Sequence, residues 1–178
     1  MSISQRYTDG TYAAANPGWH IADSPWKARQ VITMLAAFDS DVQTICEVGC
    51  GAGEILRQIH DQMTTLQRLV GYEISEAPLN MARARSTDRL TFVLGDAAKD
   101  DEHFDLMLIM DVIEHVSDPI AFLESVRSKA ERSILHIPLD LSAHTTRQAH
   151  FDAKESRSYP LFHSRDGHRH RGRRRIFD

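Results

Sequence analysis

The stretch Glu47-Val48-Gly49-Cys50-Gly51-Ala52-Gly53 constrains the fold of this chain more than any other. It follows an apolar β-like run, Val42 to Cys46, and opens into a helical pattern, Glu54-Ile55-Leu56-Arg57-Gln58-Ile59. Glycines at such a strand-to-helix turn permit positive φ, and they let a ligand approach the backbone where a Cβ would stand in its way. The acid at the strand end narrows the ligand. A phosphate-binding loop would avoid a carboxylate there, whereas a cofactor carrying an ammonium and a sulfonium gains from one. The loop therefore favours S-adenosylmethionine (SAM) over a nucleotide phosphate.

Around this loop, apolar β-like runs alternate with amphipathic helical patterns, which argues for an α/β fold: a three-layer, doubly wound, mostly parallel sheet. The pattern predicts strands near residues 43–48, 69–74, 90–94, 104–110 and 133–137, and helices near 24–38, 52–63, 76–85 and 119–131. Ser24-Pro25 reads as an N-cap followed by proline at the first helical position, with Val31, Leu35 and Phe38 near one face of the helix. Phe104 to Met110 is apolar nearly throughout, as a central parallel strand should be. At 178 residues and 42% hydrophobic content, the chain is one domain's worth with a real core.

Several classes are disfavoured. No apolar run approaches membrane-spanning length, and Met1 to Arg6 lacks the basic-then-apolar order of a signal peptide. Cys46 and Cys50 cannot staple a domain of this size and have no further ligands nearby for a metal, so reduced thiols in a cytoplasmic protein are the simplest reading. Charge is unevenly spread: residues 151–178 carry a net +4 and residues 1–150 a net −8. An acidic body with a basic tail is not the footprint of a nucleic-acid-binding fold. Residues 1–24 read as an N-terminal arm, 25–142 as the core, and 143–178 as an irregular tail to which no periodic structure is assigned.

Further motifs follow the glycine loop in order. Gly71-Tyr72-Glu73-Ile74-Ser75 puts a carboxylate at the end of the second strand, placed to accept from both hydroxyls of a ribose. Gly95-Asp96-Ala97 follows the third strand, where Asp96 can accept from an adenine amino group. Asp111-Val112-Ile113-Glu114-His115-Val116 leaves the fourth. All sit at carboxyl ends of strands, where open α/β sheets bind ligands. Blander readings stand beside these: Glu73 and Asp96 as solvated strand-end acids, Asp111 as a turn cap. A Rossmann dehydrogenase fingerprint would need a third glycine at the position of Glu54.

Residues 25–140 resemble the class I SAM-dependent methyltransferases of small-molecule type. Glu47 to Gly53 looks like the family's first motif, Glu73 like its ribose-binding acid and Asp96 like its adenine-contacting acid. The segment from Asp111 to Val116, followed by Ser117-Asp118-Pro119, is similar to the family's segment after the fourth strand. The resemblance implies a cofactor site of Glu47, Gly49, Cys50, Gly51, Gly53, Glu73, Ile74, Asp96, Ala97 and Asp111, with no metal. Its chemistry is in-line attack by an acceptor O- or N-nucleophile on the sulfonium methyl group, the protein mainly aligning the two. His115 is the first candidate for a base, because imidazole titrates near neutral pH; Glu114 is the second and His136 the third.

Tyr72 is expected to line the adenosine pocket, and Trp19, His20 and Trp26 to form either a lid or ordinary packing. The expected partner is a small-molecule acceptor, with a homodimer allowed and neither membrane nor nucleic acid. The family usually closes its sheet with two more strands, and residues after Ser142 do not read as such elements, which leaves the fifth strand an exposed edge. A codon string for Ser158 to Ser164, read one base later, yields His-Ile-His-Tyr-Phe-Thr, which resembles a downstream segment of similar methyltransferases; the tail thus reads as disordered or frame-shifted. Two alternatives stay open: a SAM-binding but catalytically impaired domain, and an NAD-binding Rossmann module.

Overall fold

A computed structural model describes residues 22–37 and 41–138. Trp19, His20, Phe38 and the segment from 139 to 178, including the stretch from Ser158 to Ser164, lie outside the described residues. The elements run α1 (Ser24–Ala37), β1 (Thr44–Val48), α2 (Glu54–Gln62), β2 (Arg68–Glu73), α3 (Glu76–Arg83), β3 (Leu90–Leu94), β4 (Phe104–Met110), α4 (Pro119–Val126) and β5 (Ala130–His136). Short 3-10 turns at Ala97–Lys99, Ile113–His115 and Arg127–Lys129 complete the order.

The five strands form one parallel sheet in the order β3-β2-β1-β4-β5. Strand alternation sorts the core into two layers. Ile45, Leu69, Leu90, Phe92, Leu106, Leu108 and Met110 face α1, α2 and α3, meeting Val31, Leu56, Ile59 and Leu79. Cys46, Val70, Tyr72, Phe104, Met107 and Ile109 face the other way, onto Ala97 and the α4 side chains Phe122, Leu123 and Val126. The winding direction reverses between β1 and β4, so the crevice at their carboxyl ends is the topological switch point at which such sheets bind ligands.

Differences from the sequence reading have local causes. Asp23, not Ser24, caps α1: its carbonyl accepts from the Trp26 and Lys27 amides, which puts Pro25 one position deeper. The second helix begins at Glu54 rather than Ala52, because Gly53 is still left-handed at φ 75°. α4 stops at Val126 instead of near 131, and β5 starts at Ala130 instead of Ser133, because Ala130 already pairs with Phe104. Among the described residues β5 is an edge of the sheet.

Candidate functional site

Four chain segments meet at the carboxyl end of the sheet: the loop after β1, the end of β2, the turn after β3 and the turn after β4. Gly49, Gly51 and Gly53 all have positive φ, at 69°, 55° and 75°. Their reasons differ. A Cβ on Gly53 would stand 2.5 Å from the Phe92 ring, and one on Gly49 would stand 2.7 Å from Val112 Cγ2; a Cβ on Gly51 would meet nothing within 4 Å. The first two glycines serve close packing, and Gly51 leaves an open cradle on the ligand side. Gly53→Ala should accordingly lower unfolding stability by about 1–3 kcal/mol, combining strain at positive φ with overpacking. Urea denaturation checks this as a lower midpoint at unchanged slope.

The loop amides are occupied from within. Gly49 and Cys50 N–H donate to Tyr72 O at 2.8 and 3.0 Å, Gly53 N–H to Cys50 O at 2.8 Å, and Gly51 N–H to Glu73 Oε2 at 2.9 Å. None of these four donors is turned outward for a phosphate. Cys50 contributes only backbone, since its side chain packs in the α2 layer and burial pushes its thiol pKa well up. Glu54, where a dinucleotide fingerprint would need glycine, is held by Arg57, Gln58 and Arg85. The Arg57 hydrogen bond is the main cause that brings its carboxyl down to about 2.

Glu73 is buried, and it accepts from Ile74 N–H at 2.8 Å and Ser75 N–H at 2.9 Å through Oε1. Burial raises its pKa despite the three amide donors. The adjoining Ile74 side chain is exposed. Asp96 Oδ1 accepts from Ala98 N–H at 3.0 Å and caps the 3-10 turn, while Oδ2 lies 3.5 Å from Lys99 Nζ; Ala97 is buried beneath it. Asp96 is thus a cap with its second oxygen still outward. Tyr72 does not line this crevice: it is buried in the opposite layer, edge-on to Phe104, with its hydroxyl donating to Asp100 at 3.0 Å.

Glu47, at the end of β1, is 1% exposed, and its Oε2 has no hydrogen-bond partner. Burial pushes its pKa well above the carboxylate range; Lys27 opposes this, and the nearby Glu73 and Asp111 add to it. Lys27 was not singled out from the sequence. Its side chain is buried and pairs with Asp111 Oδ2. The other Asp111 oxygen lies 2.6 Å from His136 Nδ1, and the Trp26 ring meets His136 edge-on with centroids 5.9 Å apart. Burial alone would raise the Asp111 pKa, but the hydrogen bonds from Lys27 and His136 outweigh it and hold the carboxyl below its usual range. Asp111 is also the one described non-glycine residue at positive φ, 57°.

The structure therefore brings His136, third among the base candidates, into a partnered position. His115 is 40% exposed at its side chain, with Glu114 Oε1 4.0 Å from its Nε2. Among the described residues there is no group of three or more potential metal ligands, and no helix long and apolar enough to cross a membrane.

Residues 19–170 match a family model described as a methyltransferase domain. A ubiquinone biosynthesis O-methyltransferase of Ruegeria sp. (strain TM1040) is 27% identical over 130 residues, covering 64% of this chain and 51% of that protein, so the chain spans about half the length of that curated relative. The crystal structure of magnesium protoporphyrin IX methyltransferase from Synechocystis PCC 6803 with bound SAH aligns with a TM-score of 0.62 at 21% identity, over 77% of this chain and 66% of that one. The plantazolicin methyltransferase BpumL, in complex with a triazolic desmethylPZN analog and SAH, aligns with a TM-score of 0.53 at 20% identity, over 72% of this chain and 48% of that one. At these identities the two structures establish the shared fold.

Proposed function

This chain belongs to the methyltransferase domain family, and from that premise we propose that it transfers a methyl group from SAM to a small-molecule hydroxyl or amine. The observation that carries the cofactor choice is Glu47 Oε2, a buried carboxylate oxygen with no donor, near the end of the strand that leads into the glycine loop. An unpaired buried acceptor is costly, and an ammonium group satisfies it where a pyrophosphate would be repelled. SAM supplies a sulfonium-activated methyl group; everything else falls to the chain.

In this reading Glu47 receives the amino group of the methionine moiety. Glu73 turns its carboxylate to the ribose hydroxyls, and the outward oxygen of Asp96 takes the adenine amino group. The exposed Ile74 side chain offers the purine an apolar surface. These contacts hold the methyl carbon at the switch point, in line with an acceptor entering from the β4 and β5 side. A hydroxyl acceptor is favoured by the relative's naming as an O-methyltransferase. The net −8 of residues 1–150 opposes a nucleic-acid acceptor, and two buried free thiols suit a reducing cytoplasm.

The NAD alternative loses on two counts: Glu54 stands at the third glycine position, and the amides of Gly49, Cys50, Gly51 and Gly53 already donate within the chain. Calorimetric titration with S-adenosylhomocysteine, with NAD as control, tests the proposal. One equivalent of the first bound and none of the second is the expected result. Binding of NAD alone would overturn it.

A further inference from the structure

The β4 and β5 ends carry a polar arrangement beyond the contacts assigned above to the amino, ribose and adenine groups. Asp111 takes a left-handed conformation that costs a non-glycine residue roughly 1–3 kcal/mol. Two bonds hold it there: Asp111 N–H donates to His136 O at 3.1 Å, and Asp111 Oδ1 lies 2.6 Å from His136 Nδ1. Lys27 fixes the remaining oxygen from α1. The Trp26 edge closes one side of the imidazole, whose side chain keeps 28% of its surface open.

We propose that His136 is the base that deprotonates the acceptor and that Asp111 is its positioning residue, held in place by Lys27. This inference rests on the methyl-transfer reading above. With Asp111 ionised, Nδ1 must carry the proton it donates, which leaves the lone pair of Nε2 free to accept. The acceptor's O–H proton passes to Nε2 as an oxygen lone pair forms the bond to the methyl carbon. The C–S bonding pair stays on sulfur, so the positive charge lost there reappears on the imidazolium, which Asp111 stabilises until the proton leaves to solvent. Among the described residues, Asp111 at the end of β4 pairs with the imidazole, and Lys27 on α1 pairs in turn with Asp111, whose charge also acts on Glu47 at the end of β1. The Glu114 Oε1 contact to His115 Nε2, at 4.0 Å, is longer than the one Asp111 makes with His136.

The test joins imidazole nitrogen NMR of the SAH-bound protein with transfer assays on H136Q and D111N, using tritiated SAM and catechol or 3,4-dihydroxybenzoate as probe acceptors. The resonances missing in H136Q identify His136. Expected are a wild-type His136 protonated at Nδ1 alone, loss of that preference in D111N, and a fall in turnover of about a hundredfold or more in H136Q with SAH affinity within about threefold. The pH–rate profile of H136Q should lose its lower limb. A wild-type proton on Nε2 would overturn the assignment whether or not either probe turns over, and so would H136Q turning over at the wild-type rate. SAH failing to bind the wild type would instead remove the methyl-transfer reading itself.

Discussion

Glu73→Ala should weaken S-adenosylhomocysteine binding by about a hundredfold or more, the largest single effect expected at this site. The magnitude follows from two functions lost together. The carboxylate is the acceptor at the ribose position, where each hydrogen bond to a charged group contributes about 1.5–3 kcal/mol. It also ties the glycine loop to β2: Gly51 N–H lies 2.9 Å from one oxygen, and Ile74 and Ser75 N–H lie 2.8 and 2.9 Å from the other. Alanine leaves three amide donors without their acceptor beside a buried position, so folding stability should fall as well, by about 2–4 kcal/mol. Glu73→Gln separates the two functions. Its amide keeps one acceptor oxygen, which can serve the Ile74 and Ser75 pair or Gly51 but not both, so it should lie between wild type and alanine in both measurements. Calorimetric titration of each variant reads the affinity, and thermal melting reads the fold. Glu73→Ala binding SAH as tightly as wild type would mean that the ribose lies elsewhere.

The sheet was legible because acids stand at or near the ends of four strands, Glu47, Glu73, Asp96 and Asp111, and because β4 is apolar at every position but Asp105. Side-chain parity could have carried the reading further. Along β2, Leu69 and Glu73 lie on opposite pleats from Val70 and Tyr72, so placing Glu73 in the crevice already turns Tyr72 into the other layer. Lys27 had a visible signal too. It lies four residues before Val31 and eight before Leu35, on the buried stripe of α1, where a cation is expected only if something pairs with it. What the sequence hid was the partner, since Asp111 is 84 residues away and only the β1–β4 adjacency brings it to α1. The same holds for Glu54, which reads locally as a helix-start acid and finds Arg85 31 residues on. His136 ranked behind His115 because motif position outweighed tertiary contact; its carboxylate comes from the neighbouring strand.

Glu47→Gln should stabilise the ligand-free protein at neutral pH and weaken it as a cofactor binder. Burial is the first cause of the raised Glu47 pKa, and Glu73 and Asp111 add repulsion that Lys27 only partly offsets. An acid whose folded pKa lies above its unfolded value, near 4.3, binds its proton more tightly when folded. Its contribution to stability is therefore full below that unfolded value and is lost as pH rises toward the folded one, the reverse of a salt-bridged carboxylate. Glutamine does not titrate, so urea denaturation should find the two proteins alike near pH 4. By pH 7.5 the variant should lead by about 1–3 kcal/mol. SAH affinity should move the opposite way, falling about tenfold or more, because a neutral amide replaces the charge facing the ammonium. Equal stability at both pH values, or a variant weaker at pH 7.5, would show that Glu47 is a structural residue with a partner in solution. The predicted pair of opposite changes has a different meaning: a carboxylate that destabilises the empty fold is retained for the ligand that completes it.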